Sequence, residues 1–443
     1  MAVEVTVGID IGTTSVKAMA VDAEGRVITH TRVPHELFAS EAGELAHDAA
    51  TAWCDGAGLA LDQLTAAPGV DLDVKGVNVA AMVPSLCAVD ANGRPLSPGL
   101  LYGDARGMGD PALGEMGNFL AWLVKRYPDA AGFWPAQAVA NAALGGVGAI
   151  DGSVAFTAMP LFDRTKWSGD VAEAAGARVE QLPEIRAGTR PIGAVERANG
   201  AVLGPGTIDA LGEQLVAGAD HDGDVLVILG STLIVWVVTT DWCEAEGLWT
   251  TPHTATGKVA IGGPSNAGGL FVNWVARVLG VDPWAHGDPV DDPTRVPVWL
   301  PYLRGERVPY HDPSRRASLH DLDIGLGPAA LTRAALEASA FTVRQIIDRS
   351  GLLASRIVAT GGGVRNAAWV QALADGTGLP VDTVAVPEGA ALGTAWLARQ
   401  TAGLEGPGAS AARWAAVSGR VEPDPTWVDA MARRYLRFQE LAG

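Results

Sequence analysis

Residues 3–22 read VEVTVGIDIGTTSVKAMAVD. Val3, Val5, Val7 and Ile9 alternate with other residues, the period of a strand with one apolar stripe. The run ends at Asp10. Gly12, Thr13 and Thr14 then supply turn chemistry, and Ser15 to Val21 reads as a returning strand. Ala23, Glu24 and Gly25 turn the chain again, and a third strand is expected at 26–29. The chain therefore opens as a β-meander.

The chemistry of this hairpin is more telling than its shape. A carboxylate at the end of an apolar strand is costly unless it is solvated, paired or bound to a cation, and Asp10 stands there. Gly12, Thr13 and Thr14 offer backbone N–H groups and hydroxyls in a tight turn, a form that can make an anion-binding concavity. Lys17 adds a cation on the returning strand. A carboxylate for Mg2+, a donor-rich turn for phosphate and a nearby ammonium are the parts of a nucleotide site. The same residues also suit an ordinary hairpin with a capping Asp.

The pattern returns half a chain later. Residues 225–229, VLVIL, read as a strand, Gly230-Ser231-Thr232 as a turn, and 233–240, LIVWVVTT, as the strand back. Two such hairpins suggest two domains of similar build, although any α/β protein can hold two hairpins. Helices are expected at 49–64, 119–125, 269–279, 331–349, 367–375 and 390–399. Strands are expected at 75–80, 86–89, 356–360 and 381–384, and an acidic, Pro-rich loop at 282–294. Strand, glycine turn and helix in that order indicate α/β architecture. Gly361-Gly362-Gly363 lies at one such junction, where glycines let backbone approach a ligand and a helix N-terminus favours polar or anionic groups.

Two common nucleotide signatures are missing. Gly257-Lys258 is followed by Val259, so no Walker A Lys-Ser/Thr is present. No G-x-G-x-x-G opens a helix after the first strand.

Composition narrows the field. The chain has 443 residues, 48% of them hydrophobic, enough for more than one buried core. A formal net charge of −18, spread along the chain, argues against nucleic acid and anionic membranes as partners. Cys54, Cys87 and Cys243 fit no metal spacing and read as reduced thiols of a cytoplasmic protein. The first residues lack a basic leader, and no run is long and apolar enough to span a membrane.

Asp209 is the candidate base. It lies in Pro205-Gly206-Thr207-Ile208-Asp209, ahead of a helix expected at 210–217. A carboxylate there can be an N-cap only. It can also accept the proton of a hydroxyl that attacks phosphorus.

Taken together, these segments resemble the FGGY family of carbohydrate kinases, especially its xylulokinase-like members. GIDIGTTSVKAMAVD is similar to the family's first phosphate hairpin. The resemblance assigns Asp10 to Mg2+ and Gly12, Thr13, Thr14 and Lys17 to the ATP phosphates. NVAAMVPSLCAVDANGRPL and LLYGDARG resemble the sugar-side strands, which points to Met82, Tyr102, Asp104 and Arg106 as substrate residues. LVAGADHDGDVLVILGST resembles the hinge and second phosphate hairpin, bringing in Gly230, Ser231 and Thr232. Counting back from it, Asp209 falls at the family's catalytic Asp. LPYLRGERVPYHDPSRRASL resembles a further block. ATGGGVRNAAWVQALAD resembles the adenosine segment and implicates Gly362, Gly363 and Asn366. PEGAALGTAWLA resembles the closing helix.

The resemblance implies two ribonuclease-H-like domains of the actin, hexokinase and Hsp70 type, 1–218 and 219–443, with an ATP cleft between them. It implies ATP and Mg2+, a sugar or polyol substrate, and admits a homodimer. The departures gather on the sugar side. Ala80-Ala81-Met82-Val83-Pro84-Ser85 replaces the usual SGQMHG, and Tyr102-Gly103 replaces the usual Trp before the pocket Asp. A ketopentose such as xylulose is the first expectation. Glycerol, erythritol, ribulose, gluconate and a catalytically inert ligand-binding role are its rivals.

Overall fold

The computed structural model describes residues 2–186, 188–253, 257–282, 290, 292–384, 389–406, 408–415 and 417–443. Glu388 of the closing block and most of the acidic loop 282–294 lie outside the described residues. The chain divides into two compact units, Met1–Val216 with Glu388–Trp414, and Ala217–Pro387 with Ala415–Gly443. The first boundary falls beside residue 218, but the chain also returns to the first unit after residue 387.

In the first unit the strands run in the order Gly193–Val195, Ala201–Leu203, Leu72–Ala81, Val3–Ile11, Ser15–Val21, Val27–Pro34. Val3–Ile11 pairs antiparallel with Ser15–Val21 and parallel with Leu72–Ala81. The third strand runs on past Thr29 because Thr31 and Val33 keep its alternation, and Thr31 pairs with Ala18. The opening strand is covered on both faces. Val5, Val7, Ile9 and Ile11 are fully buried in one core with Trp53, Leu61 and Leu64. Thr6 and Gly8 face the helix Gly389–Thr401, and Thr6 Oγ1 donates to the Ala395 carbonyl at 2.9 Å.

This returning helix explains a glycine. A Cβ at Gly8 would stand 1.9 Å from the Ala391 carbonyl oxygen, and one at Gly393 would stand 1.8 Å from the Gly212 oxygen. Backbone is in the way, so no rotamer relieves the clash. Gly8→Val is expected to lower stability by about 1–3 kcal/mol or more through overpacking. A drop in the urea midpoint at unchanged slope would show it.

The second unit repeats the plan. Its strands run Trp249–Pro252, Val259–Ser265, Leu233–Thr239, Asp224–Leu229, Arg356–Thr360, Val381–Val384, Val417–Val421. Here too the lead strand pairs antiparallel with its hairpin mate and parallel with a strand from much later in the chain. In both units an antiparallel hairpin opens the sheet, further antiparallel strands follow beyond its second strand, and parallel strands join on the far side of its first strand. Helices Gly269–Leu279, Pro328–Ser350 and Ala367–Thr377 enclose the second core.

A further sheet in the first unit runs Phe38–Ala39, Leu45–His47, Gly99–Leu101, Ser85–Val89, Gly132–Trp134. It carries the stretch around Tyr102 to Arg106. No described helix is long and apolar enough to cross a membrane.

Candidate active site

The strand register brings Asp10 and Asp209 to one sheet edge. Asp10 lies opposite Lys17 across the hairpin and beside Ala80 of the parallel strand. The short strand Thr207–Ile208 pairs with the same strand on its other side, Thr207 beside Ala80 and Ile208 beside Ala81. Asp209 follows immediately and starts the helix Asp209–Ala217. Three parallel strands thus end in step, and the outer two deliver carboxylates.

Asp10 is buried, and Lys17 Nζ stands 3.7 Å from its Oδ2. Asp209 keeps some solvent access. Its Oδ1 accepts from the Ala210 N–H at 2.7 Å. Surrounding protein pushes its pKa above the ordinary aspartate value, while the Ala210 N–H and the charge of Lys17 pull it back. The structure therefore couples Lys17 electrostatically to both carboxylates.

The hairpin tip is held from below. Thr13 and Thr14 are exposed. The Gly12 N–H donates to the Ser15 carbonyl at 3.0 Å, and the His35 N–H to the Thr14 carbonyl at 3.0 Å. Trp53 Nε1–H donates to His47 Nδ1 at 3.0 Å, so the proton of neutral His47 sits on Nε2, which lies 2.8 Å from the Thr13 carbonyl. Burial lowers the His47 pKa to about 4, which keeps the ring neutral at physiological pH. His47 carries no motif spacing by itself, and sequence reasoning passed over it.

On the expected sugar side, Met82 is buried directly after Leu72–Ala81, and Tyr102 is half exposed. Asp104 and Arg106 form a closed pair. Arg106 Nε reaches Asp104 Oδ1 at 2.8 Å and Nη2 reaches Oδ2 at 2.5 Å. Arg106 also stacks over Trp122, 4.9 Å from the ring centre, with Glu44 3.9 Å from Nη1. Burial of Asp104 would raise its pKa, but hydrogen bonds from Arg106 and the Leu45 N–H outweigh it and leave the carboxyl below its usual range.

In the second unit the lead strand and Arg356–Thr360 end together, Ile228 beside Thr360. Gly230-Ser231-Thr232 and Gly361-Gly362-Gly363 therefore leave one edge side by side. The three glycines have different reasons. Gly361 takes φ 87°, and a Cβ at Gly363 would meet Leu229 Cβ at 2.6 Å. Gly362 alone has room, its nearest neighbour being Arg365 Nη2 at 3.6 Å. The expected glycine turn between strand and helix is here a short 3-10 turn, Gly362–Arg365, that begins within the glycines. Asn366 caps the helix, accepting from the Trp369 N–H at 3.1 Å.

Beside the second hairpin lies a cavity of about 430 Å³ lined by Ser231, Thr232, Asn266, Asn273, Trp274, Arg277 and Arg304 among others. Arg307 Nη2 reaches Thr232 Oγ1 at 3.2 Å. The Gly269 and Leu270 N–H groups donate to the Gly230 and Ser231 carbonyls at 2.8 and 3.1 Å and fix the turn. Buried Glu306 accepts from the Asn266 N–H at 2.8 Å and from Ser265 Oγ at 2.9 Å. Asn273, Trp274 and Arg277 were missed from sequence, because 269–279 reads simply as a helix.

The donor set at the first hairpin suits a hydrated Mg2+. Asp10 is a hard oxygen ligand, and a single carboxylate is the normal protein share when phosphates and waters supply the rest.

The family profile "FGGY family of carbohydrate kinases, N-terminal domain" matches residues 5–110, and the C-terminal domain profile matches residues 225–402. The chain is 26% identical to a xylulose kinase of Escherichia coli strain K12, covering 90% of each protein. It is 25% identical to a glycerol kinase of Pseudarthrobacter chlorophenolicus, covering 90% of this chain and 89% of the relative. A solved xyloylose kinase from Brucella ovis superposes with a TM-score of 0.89 at 22% identity, over 99% of this chain and 98% of that one, which establishes a shared fold. With both domain profiles matched in order, the chain belongs to the FGGY family of carbohydrate kinases, phosphotransferases whose acceptor is an alcohol group.

Proposed function

We propose that this kinase transfers the γ-phosphoryl group of ATP to a hydroxyl of a neutral sugar, a ketopentose such as xylulose before other acceptors, with Asp209 as general base. The observation that carries the reading is the placement of Asp10, Lys17 and Asp209 along one sheet edge, at the tip of a donor-rich hairpin. The curated xylulose kinases support the choice of sugar. The closed Asp104–Arg106 pair favours a neutral acceptor, because the guanidinium already has its counter-charge.

In the reaction the acceptor oxygen bonds to the γ-phosphorus as the bond to the ADP oxygen breaks. The acceptor proton passes to the Asp209 carboxylate. Thr13, Thr14 and Lys17 offer donors to phosphate oxygens, and in the second unit Ser231 and Thr232 offer donors of the same kind. The cavity with Asn273, Trp274 and Arg277 takes the nucleoside side. Asp10 would hold a hydrated Mg2+, which would supply charge neutralisation at the phosphates. A cytoplasmic setting, where thiols stay reduced, suits the three free cysteines.

The test is ADP release by purified protein with Mg-ATP and a panel of ketoses, aldoses, polyols and sugar acids. Strong stimulation by xylulose supports the reading. Stimulation by glycerol or gluconate instead overturns the sugar, and no stimulation by any acceptor overturns the kinase reaction in favour of an inert binder.

Lys17 also sets a pH prediction. Asp209 must be ionised to act, and Lys17 lowers its pKa. Lys17→Met is therefore expected to move the acid limb of the kcat–pH profile to higher pH, whatever it does to the plateau. An unmoved acid limb would separate Lys17 from the base.

A further inference from the structure

Two short strands share one edge of Leu72–Ala81, and the step between them is irregular. Leu203 pairs with Val77 and Thr207 with Ala80. Three residues, Gly204, Pro205 and Gly206, stand against two, Asn78 and Val79, so the segment holds one extra residue, a bulge just ahead of Asp209. Gly206 takes φ 97°, and a Cβ there would stand 3.1 Å from the Val79 carbonyl and 3.2 Å from Gln137 Cβ.

A bulge leaves ladder groups without their strand partners, and each must find another. Three amide side chains take them in sequence. Asn141 Nδ2 donates to the Pro205 carbonyl at 3.0 Å. Asn78 Oδ1 accepts from the Gly206 N–H at 2.8 Å. Gln137 Nε2 donates to the Thr207 carbonyl at 3.0 Å. The same Gln137 nitrogen also reaches the Ala81 carbonyl at 3.0 Å, so it ties the end of the strand before Met82 to the strand before Asp209. Asn141 also reaches the Ala149 carbonyl at 2.9 Å. All three amides have no solvent exposure.

We infer that Asn78, Gln137 and Asn141 are positioning residues that lock the Gly204–Gly206 bulge and so set where the Asp209 carboxylate meets the acceptor hydroxyl. The inference rests on the reading of Asp209 as general base. None of the three touches the reacting atoms. They act through three consecutive backbone groups, residues 205, 206 and 207, two to four positions before the base. Gln137 has the largest role, because its one amide nitrogen holds the last carbonyl of the substrate-side strand and the carbonyl two residues before the base. A misplacement of about 1 Å in a reacting group can cost about 10²-fold in rate.

The test compares Gln137→Met with Asp209→Asn and with Gln181→Met, using D-xylulose or whichever panel sugar most stimulates ADP release. Gln181 is a matched control, a buried amide that donates to the Ala130 carbonyl at 3.1 Å away from the bulge. Gln137→Met is expected to lower kcat about 10–100-fold, with KM for ATP within about threefold of the parent. Amide hydrogen exchange over 204–209 should accelerate in Gln137→Met and not in Gln181→Met, which should keep its kcat. Should Gln137→Met fail to fold, Asn141→Ser, which removes only the bonds to Pro205 and Ala149, carries the same comparison. A folded clamp variant with parental kcat beside a disabled Asp209→Asn overturns the clamp alone. An Asp209→Asn enzyme with parental kcat overturns the base assignment and the clamp with it.

Discussion

Asp209→Asn is expected to turn over about 10²–10⁴-fold more slowly than the parent, with KM for ATP and the melting temperature close to parental values. The size follows from the worth of a placed general base. The acceptor hydroxyl must lose its proton as phosphorus is attacked, and Asn cannot take it. The small effect on folding follows from local contacts. Asp209 Oδ1 accepts from the Ala210 N–H, and an Asn oxygen can accept the same bond. The parent carboxyl has its pKa raised by surrounding protein, so its charged form is disfavoured in the folded state. Such a group costs stability above the ordinary aspartate pKa, and a neutral amide removes that cost. The variant should therefore melt no lower than the parent at neutral pH. Steady-state kinetics and a melting curve on one preparation decide it. Parental kcat would remove Asp209 from the chemistry, and a lost fold would make it a structural cap.

Much of this site could be read from sequence because its parts are local. Asp10, Gly12, Thr13, Thr14 and Lys17 lie within one hairpin, and alternation fixes which way each strand runs. The second hairpin and the glycines after Thr360 are equally compact in sequence. The strands 356–360 and 381–384 and the helix Gly269–Leu279 lie where periodicity puts them. What escaped is whatever depends on distant segments meeting. Gly132–Trp134, Ala149–Asp151, Glu184–Arg186, Gly193–Val195 and Ala201–Leu203 are three residues each, too short for a period of two to show. Asn78 sits inside an apolar strand, and Gln137 and Asn141 in an alanine-rich helix. Nothing near them in sequence signals that residues 205 to 207 need partners. The clamp becomes visible only when a bulge is counted from register. The return of Gly389–Thr401 onto the opening strand is hidden for the same reason, since Gly8 gives no hint of a helix almost four hundred residues away.

Asp10→Asn carries the second large expectation, a loss of kcat/KM for ATP on the order of 10²-fold, partly recovered as Mg2+ is raised. Asn matches the parent side chain in shape and removes its negative charge. That charge sits in a buried position with Lys17 Nζ 3.7 Å away, so its loss leaves the ammonium facing any incoming cation. Mg2+ then meets one charge fewer in attraction and one unbalanced charge in repulsion, and its apparent affinity must fall. Mass action can offset a weakened affinity but not a missing catalytic group. This separates the two carboxylates of the sheet edge. Excess Mg2+ should restore part of the Asp10→Asn rate and none of the Asp209→Asn rate. The stability cost should be modest, because Lys17 keeps enough solvent access to be hydrated when its partner is neutral. A titration of rate against free Mg2+ reads the outcome directly. If the midpoint of that titration stays at the parental value, Asp10 belongs to the hairpin's structure and the cation is held elsewhere.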